Sequence, residues 1–511
     1  MRLSADIVLI GARILTWSEE VPEAEAVALG QGRILAVGLK AEAIGFAGPE
    51  TRIIDLEGRR VLPGFADSHS HLASVGSRLS SLDLGDASSL EELQGKLLEV
   101  VRTKEPGEWI MGRNWDESGW PVRRYPLRTD LDRVAPHNPV ALMRVDGHMA
   151  VANSQTLERL PLEGLVGVER DRDGNPTGIL KEEAAQAVLD ATRPDIDQIA
   201  DGIRRMIRKA HSLGITAIHD IVDRREVAAY LRIHRRADLM LRVNLMISSE
   251  ELPNLLGGGF SSGLGGQHLR LGPIKAFLDG SLGARTAALL RDFEDEPGNP
   301  GRLMGAEEEM FKLIREAAGA GFQLALHAIG DRGIEVALRG LSRVDCEGKR
   351  HRIEHLELPS DENLRVAKRL GIVASMQPNF IGKWGRPGGL YEERLGVERM
   401  RRNNPLRLVL DEGIQLAFGS DHMPFSPLFG VHWAVNAPFE NQRLSAEEAL
   451  RCYTQTPAYA SFEEGLKGTI EPGKLADLVV LEKDPLQYTE RIEEIPVYMT
   501  IFDGRIVYEG A

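Results

Sequence analysis

Two histidines two residues apart, His69 and His71, begin a series of side chains that could bind a metal ion. They lie in the segment Val61–Leu72, VLPGFADSHSHL, which starts like a buried strand and is interrupted by a Pro-Gly pair. Because side chains at positions i and i+2 of a strand point to the same side, the two imidazoles are expected to converge. Imidazole is a common ligand of zinc and related metals. The alternative is two polar histidines in a loop.

Four further residues with metal-binding or basic side chains each end a short apolar stretch. They are Lys275 in GPIKAFLDGS, His327 in LALHAIGD, His355 in RIEHLE and Asp421 in FGSDHMP. Each has an ordinary explanation by itself, such as a hydrogen-bonded structural histidine or a Gly-Ser-Asp turn. The carboxyl ends of the strands of a parallel barrel share one rim, where active sites lie. The ordered series therefore favours one joint site that includes His69 and His71.

The elements that would position these side chains alternate between apolar strands and amphipathic helices. The predicted strands are GITAIHD, LMLRVNLM, LRLGPIKAFL, GFQLALHAI, RIEHLEL, GIVASMQ and IQLAFGSD, and predicted helices include Ile203–Leu213, Glu307–Ala320 and Asp361–Leu370. This alternation is typical of βα units around a parallel sheet. Chain length favours an α/β fold with a (β/α)8, TIM-like barrel over an open doubly wound sheet. No glycine-rich dinucleotide fingerprint follows any of these strands.

Both ends of the chain are rich in short strands separated by glycine turns. We therefore predict a small β-sandwich formed by residues 1–60 and 460–511. The barrel would comprise residues 61–74 and 201–459, and residues 75–200 would form an insertion after the first barrel strand. Two independent β-modules are the alternative, although each would be very small for a stable domain.

Composition limits the classes of function. The 511 residues carry a net charge of -14, with 76 acidic and 62 basic side chains, which disfavours binding to nucleic acid. No apolar run approaches the 18 residues that suggest a membrane span. The two cysteines, Cys346 and Cys452, are too few for a disulfide scaffold and are consistent with a reducing cytoplasm, so we expect a cytoplasmic protein.

The motifs together resemble the amidohydrolase superfamily, in the branch that includes N-substituted formamide deformylases. The resemblance covers nearly the whole chain. It is carried by LPGFADSHSH, the segments Arg144–His148 and Gly174–Leu180, IKAFLDGSLGARTA, LHAIGD, RIEH, GSDHMP and EPGKLADLVVL.

The resemblance implies a metal-bearing barrel with a β-sandwich made from both termini. It implies that the metal ligands are His69, His71, His327, His355 and Asp421, with a carboxylated Lys275 as a bridge between two metals. The expected cofactor is one or two divalent ions, with zinc expected first, although iron, manganese and cobalt accept the same nitrogen and oxygen ligands.

The expected chemistry is hydrolysis of a carbon–nitrogen bond other than a peptide bond, in a small amide such as an N-substituted formamide. A divalent metal with an open position supplies hydroxide at neutral pH and polarises the carbonyl. Asp421 would take the proton from the water and pass it to the leaving nitrogen. A buried lysine loses its charge readily and its amine can react with carbon dioxide, so Lys275 could supply the bridge. The alternative is an ordinary lysine paired with Asp279 beside a single metal.

Other residues are weaker candidates for the site. His148 could stabilise a developing oxyanion or hold substrate, or it could be a loop histidine without a role. Trp115 and other tryptophans of the insertion could line a substrate pocket, although a role in the insertion's own core is commoner. Gln377, after another strand end, is a further candidate for substrate binding.

Two other classes of function remain open. GFSSG at Gly259–Gly263 matches the nucleophile-elbow pattern of serine hydrolases, but the residues before it are not strand-like and a glycine loop is favoured. A catalytically silent scaffold is the other alternative, and the complete ligand series argues against it. We expect a small-molecule partner, no nucleic acid, no membrane and a homodimer as the commonest closed assembly.

Overall fold

A computed structural model describes residues 4–78, 81–162 and 164–510. The chain divides into two compact units, one formed by Met1–Ser74 with Ile203–Ala511 and the other by Val75–Gly202. The second unit lies between the two parts of the first along the sequence.

The strands are numbered along the described residues. Those before the insertion are β1 (Ala5–Ile10), β2 (Arg13–Leu15), β3 (Glu23–Ala24), β4 (Ala26–Gly30), β5 (Arg33–Gly38), β6 (Ala47–Asp55), β7 (Arg60–Pro63) and β8 (Phe65–Ser70). Those of the insertion are β9 (Leu82–Asp83), β10 (Ile110–Trp115), β11 (Val140–Arg144), β12 (Met149–Ala152), β13 (Val168–Arg170) and β14 (Pro176–Lys181). Those after it are β15 (Ile215–Val222), β16 (Arg242–Ser248), β17 (Leu269–Phe277), β18 (Leu324–Ala328), β19 (Arg352–His355), β20 (Val373–Met376), β21 (Gln415–Phe418), β22 (Leu478–Leu481), β23 (Val497–Phe502) and β24 (Arg505–Glu509).

The helices are numbered in the same way. They are α1 (Lys40–Ile44), α2 (Leu72–Arg78), α3 (Leu90–Val101), α4 (Arg128–Asp132), α5 (Ser154–Leu157), α6 (Glu183–Ala191), α7 (Ile196–Ser212), α8 (Arg224–Arg235), α9 (Leu252–Gly257), α10 (Glu307–Gly319), α11 (Asp331–Leu341), α12 (Asp361–Arg369), α13 (Pro378–Trp384), α14 (Leu390–Met400), α15 (Leu406–Asp411), α16 (Pro427–Val435), α17 (Ala446–Cys452) and α18 (Gln455–Ala460). The three predicted helices correspond to α7, α10 and α12.

Strand β8 and strands β15–β21 form an eight-stranded parallel sheet in the order β21-β20-β19-β18-β17-β16-β15-β8. Hydrogen bonds join the last strand to the first, since the Asp421 amide donates to the His69 carbonyl at 3.0 Å and the Ser420 amide donates to Asp67 Oδ1 at 3.0 Å. The side chains of these strands are almost entirely buried, as expected for strands covered on both faces. The predicted TIM-like α/β barrel is confirmed.

Strands from both termini form the predicted β-sandwich. One sheet has the order β5-β4-β1-β6, and the other, β24-β23-β22-β7-β2-β3, combines strands from the two ends of the chain. Apolar side chains of both sheets share one core, which includes Leu9, Val27, Val61, Val480 and Ile501. Neither terminal segment could bury this surface alone, which explains why the two ends fold together.

The junction between sandwich and barrel differs from the prediction. Val61 and Leu62 belong to β7, which pairs with β2 and β22, so they are sandwich residues and not the start of the first barrel strand. The chain turns at Gly64 and continues as β8. A Cβ at Gly64 would lie 2.2 Å from Thr216 Oγ1, so only glycine allows the two strands to approach so closely at this point.

The insertion has a sheet of its own, in the order β13-β14-β12-β11-β10-β9, with parallel pairing among β9, β10 and β11. Its apolar core lies between this sheet and helices such as α3, and includes Leu93, Trp115, Trp120 and Leu142. This unit therefore has the core that an independent module needs.

No helix in the described ranges combines the length and the apolar composition that crossing a membrane would require.

Candidate metal centre

Five barrel strands carry the six predicted ligands at or near their carboxyl ends. His69 lies in β8 and His71 one residue beyond it. Lys275 lies in β17 and His327 in β18, His355 is the last residue of β19, and Asp421 follows β21 by three residues. Because the barrel strands are all parallel, their carboxyl ends lie at one rim, and the six residues are found at that rim.

Three of the side chains lie close enough to hold one ion. Ligand atoms of His69, His355 and Asp421 all lie within 4.8 Å of one another. His71 Nε2 lies 3.3 Å and His69 Nε2 4.0 Å from the same oxygen, Asp421 Oδ1. The His327 ring is next to this group, with its centroid 4.4 Å from that of His355. The convergence of His69 and His71 is thus as the spacing predicts.

The backbone departs from extended geometry where two of these side chains turn into the rim. His355 has φ 74° and Asp421 has φ 49°, in the left-handed region that residues other than glycine seldom adopt. Strict alternation along β19 would place Glu354 and His355 on opposite faces. The left-handed turn at His355 brings its ring against those of His69 and His327, at centroid distances of 4.7 and 4.4 Å.

Unpaired buried atoms at the centre indicate that something else completes it. Lys275 Nζ, His327 Nδ1 and His355 Nδ1 are buried and have no hydrogen-bond partner within the described chain. Buried polar atoms are almost always paired, and each exception needs an explanation. A donor set of imidazole nitrogens and a carboxylate suits zinc and similar divalent ions. The residues present therefore fit a divalent metal.

The histidines are held in the neutral form that binds metal. Burial lowers the pKa of His69 and His355 well below the usual value, and neighbouring positive charges add to this effect. Burial also lowers the pKa of His327 to about 3. Protons therefore compete weakly with a metal for these three rings.

Lys275 is buried and faces the same group. Burial lowers the pKa of Lys275 to about 8, although the charges of Glu354 and Asp421 act in the opposite direction. The alternative pairing of Lys275 with Asp279 is not observed, because Lys275 Nζ has no hydrogen-bond partner within the described chain. The Asp279 carboxylate instead accepts the backbone amides of Ala288, Ile329 and Gly330 at 2.8–3.0 Å. An amine without a partner remains free to react or to coordinate.

Sequence reasoning missed two residues beneath the centre. Glu354 Oε2 lies 2.6 Å from His69 Nδ1, and Arg352 binds both oxygens of Glu354. Burial raises the pKa of Glu354, but the charges of Arg352 and Lys275 outweigh burial and lower that pKa overall. The available signal was two charged residues within an apolar strand, in the same RIEH motif that supplied His355.

A further carboxylate fixes the segment after His71. Asp220, in β15, accepts the backbone amides of Leu72 and Ala73 at 2.5 and 3.1 Å and the Tyr230 hydroxyl at 2.7 Å. It therefore holds the start of α2, one residue beyond the predicted ligand His71.

The remaining predicted residues are placed as follows. Gln377 lies directly after β20 and is buried, with Nε2 donating to the Ser375 carbonyl and Oε1 unpaired within the described chain. His148 belongs to the insertion, where its side chain is 72% exposed and lies 3.2 Å from Glu182. Trp115 is fully buried in the insertion's core, and its indole donates to the Leu142 carbonyl. Trp115 is therefore packed as a core residue of the insertion and not as a residue that lines a substrate pocket.

The Gly259–Gly263 loop does not have the geometry of a nucleophile elbow. It follows helix α9 and leads towards β17, whereas the elbow requires a strand before it and a helix after it. A loop at this point lies at the amino end of β17, away from the rim that carries Lys275.

Comparison with known proteins gives the family. The Amidohydrolase family model matches residues 52–508. The chain is similar to the protein YtcJ of Bacillus subtilis (strain 168), with 30% identity over 534 residues and 98% of each chain covered. It is also similar to N-substituted formamide deformylase of Arthrobacter pascens, with 28% identity over 537 residues that cover 99% of this chain and 98% of the other.

Among solved structures, an uncharacterized metal-dependent hydrolase from Pyrococcus furiosus has a TM-score of 0.82 at 31% identity, covering 94% of this chain and 99% of its own. The region that the family model matches, residues 52–508, includes every strand of the barrel and every predicted ligand. The chain therefore belongs to the amidohydrolase family and is a hydrolase of that superfamily.

Proposed function

We propose that this hydrolase uses a divalent metal to cleave the carbon–nitrogen bond of a small amide that is not a peptide. Zinc is the metal that we expect. The observation that carries the proposal is the meeting of His69, His355 and Asp421 within 4.8 Å, beside unpaired buried nitrogens of Lys275 and His327. If these side chains had only a structural role, their buried nitrogens would be expected to have hydrogen-bond partners.

His69, His71, His327, His355 and Asp421 would hold the metal. When bound, a divalent metal polarises a scissile carbonyl and lowers the pKa of a coordinated water to about 7. The protein's part is to present neutral imidazoles in a fixed arrangement, which burial of the rings and their mutual contacts support.

Asp421 moves the proton. Its carboxylate is partly exposed, so both water and substrate can reach it, and Oδ1 faces His71 Nε2 at 3.3 Å. In the proposed reaction Asp421 accepts a proton from the attacking water and then donates it to the nitrogen of the tetrahedral adduct. Protonation is needed because an amide anion is a very poor leaving group, and the products are a carboxylic acid and an amine.

Lys275 would allow a second metal. Its neutral amine would form a nitrogen–carbon bond with carbon dioxide and lose one proton, and the resulting carbamate offers two oxygens that can bridge two ions. The low pKa and the missing partner of this buried amine support the proposal. Gln377 Oε1, also buried and unpaired, is proposed to accept the N–H of the bound amide.

The proposed substrate class is N-substituted formamides and related N-acyl amines. The support is the similarity over nearly the whole chain to an N-substituted formamide deformylase. A formamide has the smallest acyl group, so the identity of the amine substituent would determine most of the specificity.

The test is a substrate screen on protein treated with chelator and then loaded separately with Zn, Mn, Co or Fe. We expect release of amine from at least one N-formyl or N-acyl amine, dependent on added metal. Turnover that survives chelation, or that occurs only with esters, would contradict the proposal.

A further inference from the structure

A buried ion pair lies beneath the candidate metal centre, in the interior of the barrel. Arg352 and Glu354, both in β19, are fully buried. Arg352 Nε donates to Glu354 Oε1 at 2.7 Å and Nη2 donates to Oε2 at 3.0 Å. This two-point contact fixes the orientation of the carboxylate.

The same carboxylate contacts a predicted metal ligand. Glu354 Oε2 lies 2.6 Å from His69 Nδ1. An ionised carboxylate can only accept, so Nδ1 must carry the hydrogen and Nε2 must carry the lone pair. Nε2 is the nitrogen that faces Asp421 Oδ1, at 4.0 Å.

We propose that Glu354 is a positioning residue that selects the His69 tautomer able to bind metal, and that Arg352 holds Glu354 in place for this purpose. The claim that His69 binds a metal rests on the proposed function, whereas the claim that Glu354 selects its tautomer does not.

The neighbours of Arg352 make this arrangement rigid. Nη1 lies 2.6 Å from His219 Nδ1, and Nη2 also donates to the Ser68 carbonyl at 2.6 Å and to Ser375 Oγ at 2.9 Å. Ser68 lies in β8, His219 in β15 and Ser375 in β20. One guanidinium therefore connects four strands of the barrel, and a rotation of Glu354 would break several hydrogen bonds together.

Stability alone does not explain the ion pair. Taking two charges out of water costs several kcal/mol per ion, and apolar residues of similar volume are often as stabilising as a buried pair. Elsewhere the barrel strands contribute an apolar cluster of Ile221, Met246 and Ala325. The buried pair of Arg352 and Glu354 instead lies where Glu354 contacts His69, and this position points to a role in the site.

The test compares variants of the full chain. Glu354→Gln replaces one acceptor oxygen with a donor. The double variant Arg352→Met with Glu354→Leu replaces the pair with apolar side chains and protects against misfolding through an unpaired charge. The control is Glu463→Gln, which breaks another buried pair, with Lys467 at 2.6 Å, that has no contact with a predicted ligand.

Two readouts are measured on metal-free protein. Zinc affinity is determined by competition with a chelator. The protonation of His69 Nδ1 is read from ¹⁵N NMR of histidine-labelled protein, with the His69 signals assigned by their loss in His69→Asn. Thermal unfolding is recorded for every variant, so that loss of stability can be separated from loss of the site.

We expect both Glu354 variants to bind zinc about 10- to 100-fold more weakly. The double variant, which has no acceptor at this position, is expected to lose the signal of a protonated Nδ1 as well. The control is expected to unfold at a lower temperature, with zinc affinity within about twofold of the wild type and the His69 signal unchanged. Wild-type affinity and a protonated Nδ1 in both Glu354 variants would overturn the inference. If the wild type binds no metal, the proposed function fails, and the NMR signal alone then decides whether Glu354 selects the tautomer.

Discussion

Asp421 is the side chain on which the proposed chemistry depends most. It is the single carboxylate among the predicted ligands, and it lies within 4.0 Å of both His69 Nε2 and His71 Nε2. We predict that Asp421→Asn lowers kcat by about 10²- to 10⁴-fold, because the amide cannot accept the proton from the attacking water. Steady-state kinetics on the substrate identified by the screen would measure this.

The matched control is Asp411→Asn, which alters an exposed aspartate at the end of α15. Activity of the control should equal that of the wild type. Retention of full activity by Asp421→Asn would remove this residue from the mechanism.

Lys275 decides between one and two metals. If a carbamate of Lys275 bridges two ions, Lys275→Met should lower the metal-to-chain ratio from about two to about one, because methionine fills the buried space but offers no bridging oxygens. Metal analysis of protein purified with added zinc and bicarbonate measures the ratio. An unchanged ratio in the variant would favour the alternative of an ordinary lysine beside a single metal.

The positions of the predicted ligands on the barrel could be anticipated from the sequence, while the residues that support them could not. His69, His327 and His355 each end an apolar strand, and the topology of a barrel gathers such ends. The charges of Arg352 and Glu354 within an apolar strand were the only sequence signal for these two residues, and it does not reveal their contacts with His69, Ser68 and His219 on other strands. The left-handed backbone conformation of His355 could not be predicted either, since no local sequence feature requires it.

At the scale of elements, a buried carboxylate holds the segment that follows the predicted ligand His71. Asp220 of β15 accepts three hydrogen bonds, two of them from the backbone at the start of α2. We predict that Asp220→Asn lowers the free energy of unfolding by about 1–3 kcal/mol, because the single amide oxygen leaves at least one buried donor unpaired. Urea unfolding followed by circular dichroism would measure the loss.

For comparison, Glu316→Gln breaks an exposed pair with Lys312 within α10 and should change the same free energy by less than about 0.5 kcal/mol. If Asp220→Asn proves as mild as this control, the carboxylate is not what fixes the start of α2.

The elements themselves were largely accessible from the sequence. The predicted barrel strands appear as β15–β21 because short apolar runs bounded by helices have few other arrangements. The junction at β7 and β8 was misassigned, since Val61 and Leu62 are as apolar as barrel residues. Their partners, Val479 and Val480 in β22, lie more than 400 residues later, a separation that no local pattern reveals.

At the scale of the molecule, the barrel is attached to the sandwich through a buried charge. Arg242 of β16 binds Asp477, which precedes β22, and also contacts Asp503 at 3.2 Å. Arg242 and Asp477 are both buried. We predict that Asp477→Asn lowers the free energy of unfolding by about 3–5 kcal/mol, because the charge of Arg242 would remain buried without its main partner.

This loss should appear in urea unfolding as a shift of the transition, and the double variant Arg242→Met with Asp477→Asn should recover part of it. A single Asp477→Asn variant as stable as the wild type would show that the pair contributes nothing to the attachment of the two parts.

The most direct test of the whole account is the position of a bound metal. Crystals grown with zinc and measured at the zinc absorption edge should show an anomalous peak at the barrel rim, between His69, His355 and Asp421. A binuclear centre would give a second peak beside Lys275. The absence of any peak among these residues, with zinc bound elsewhere or not at all, would contradict the account.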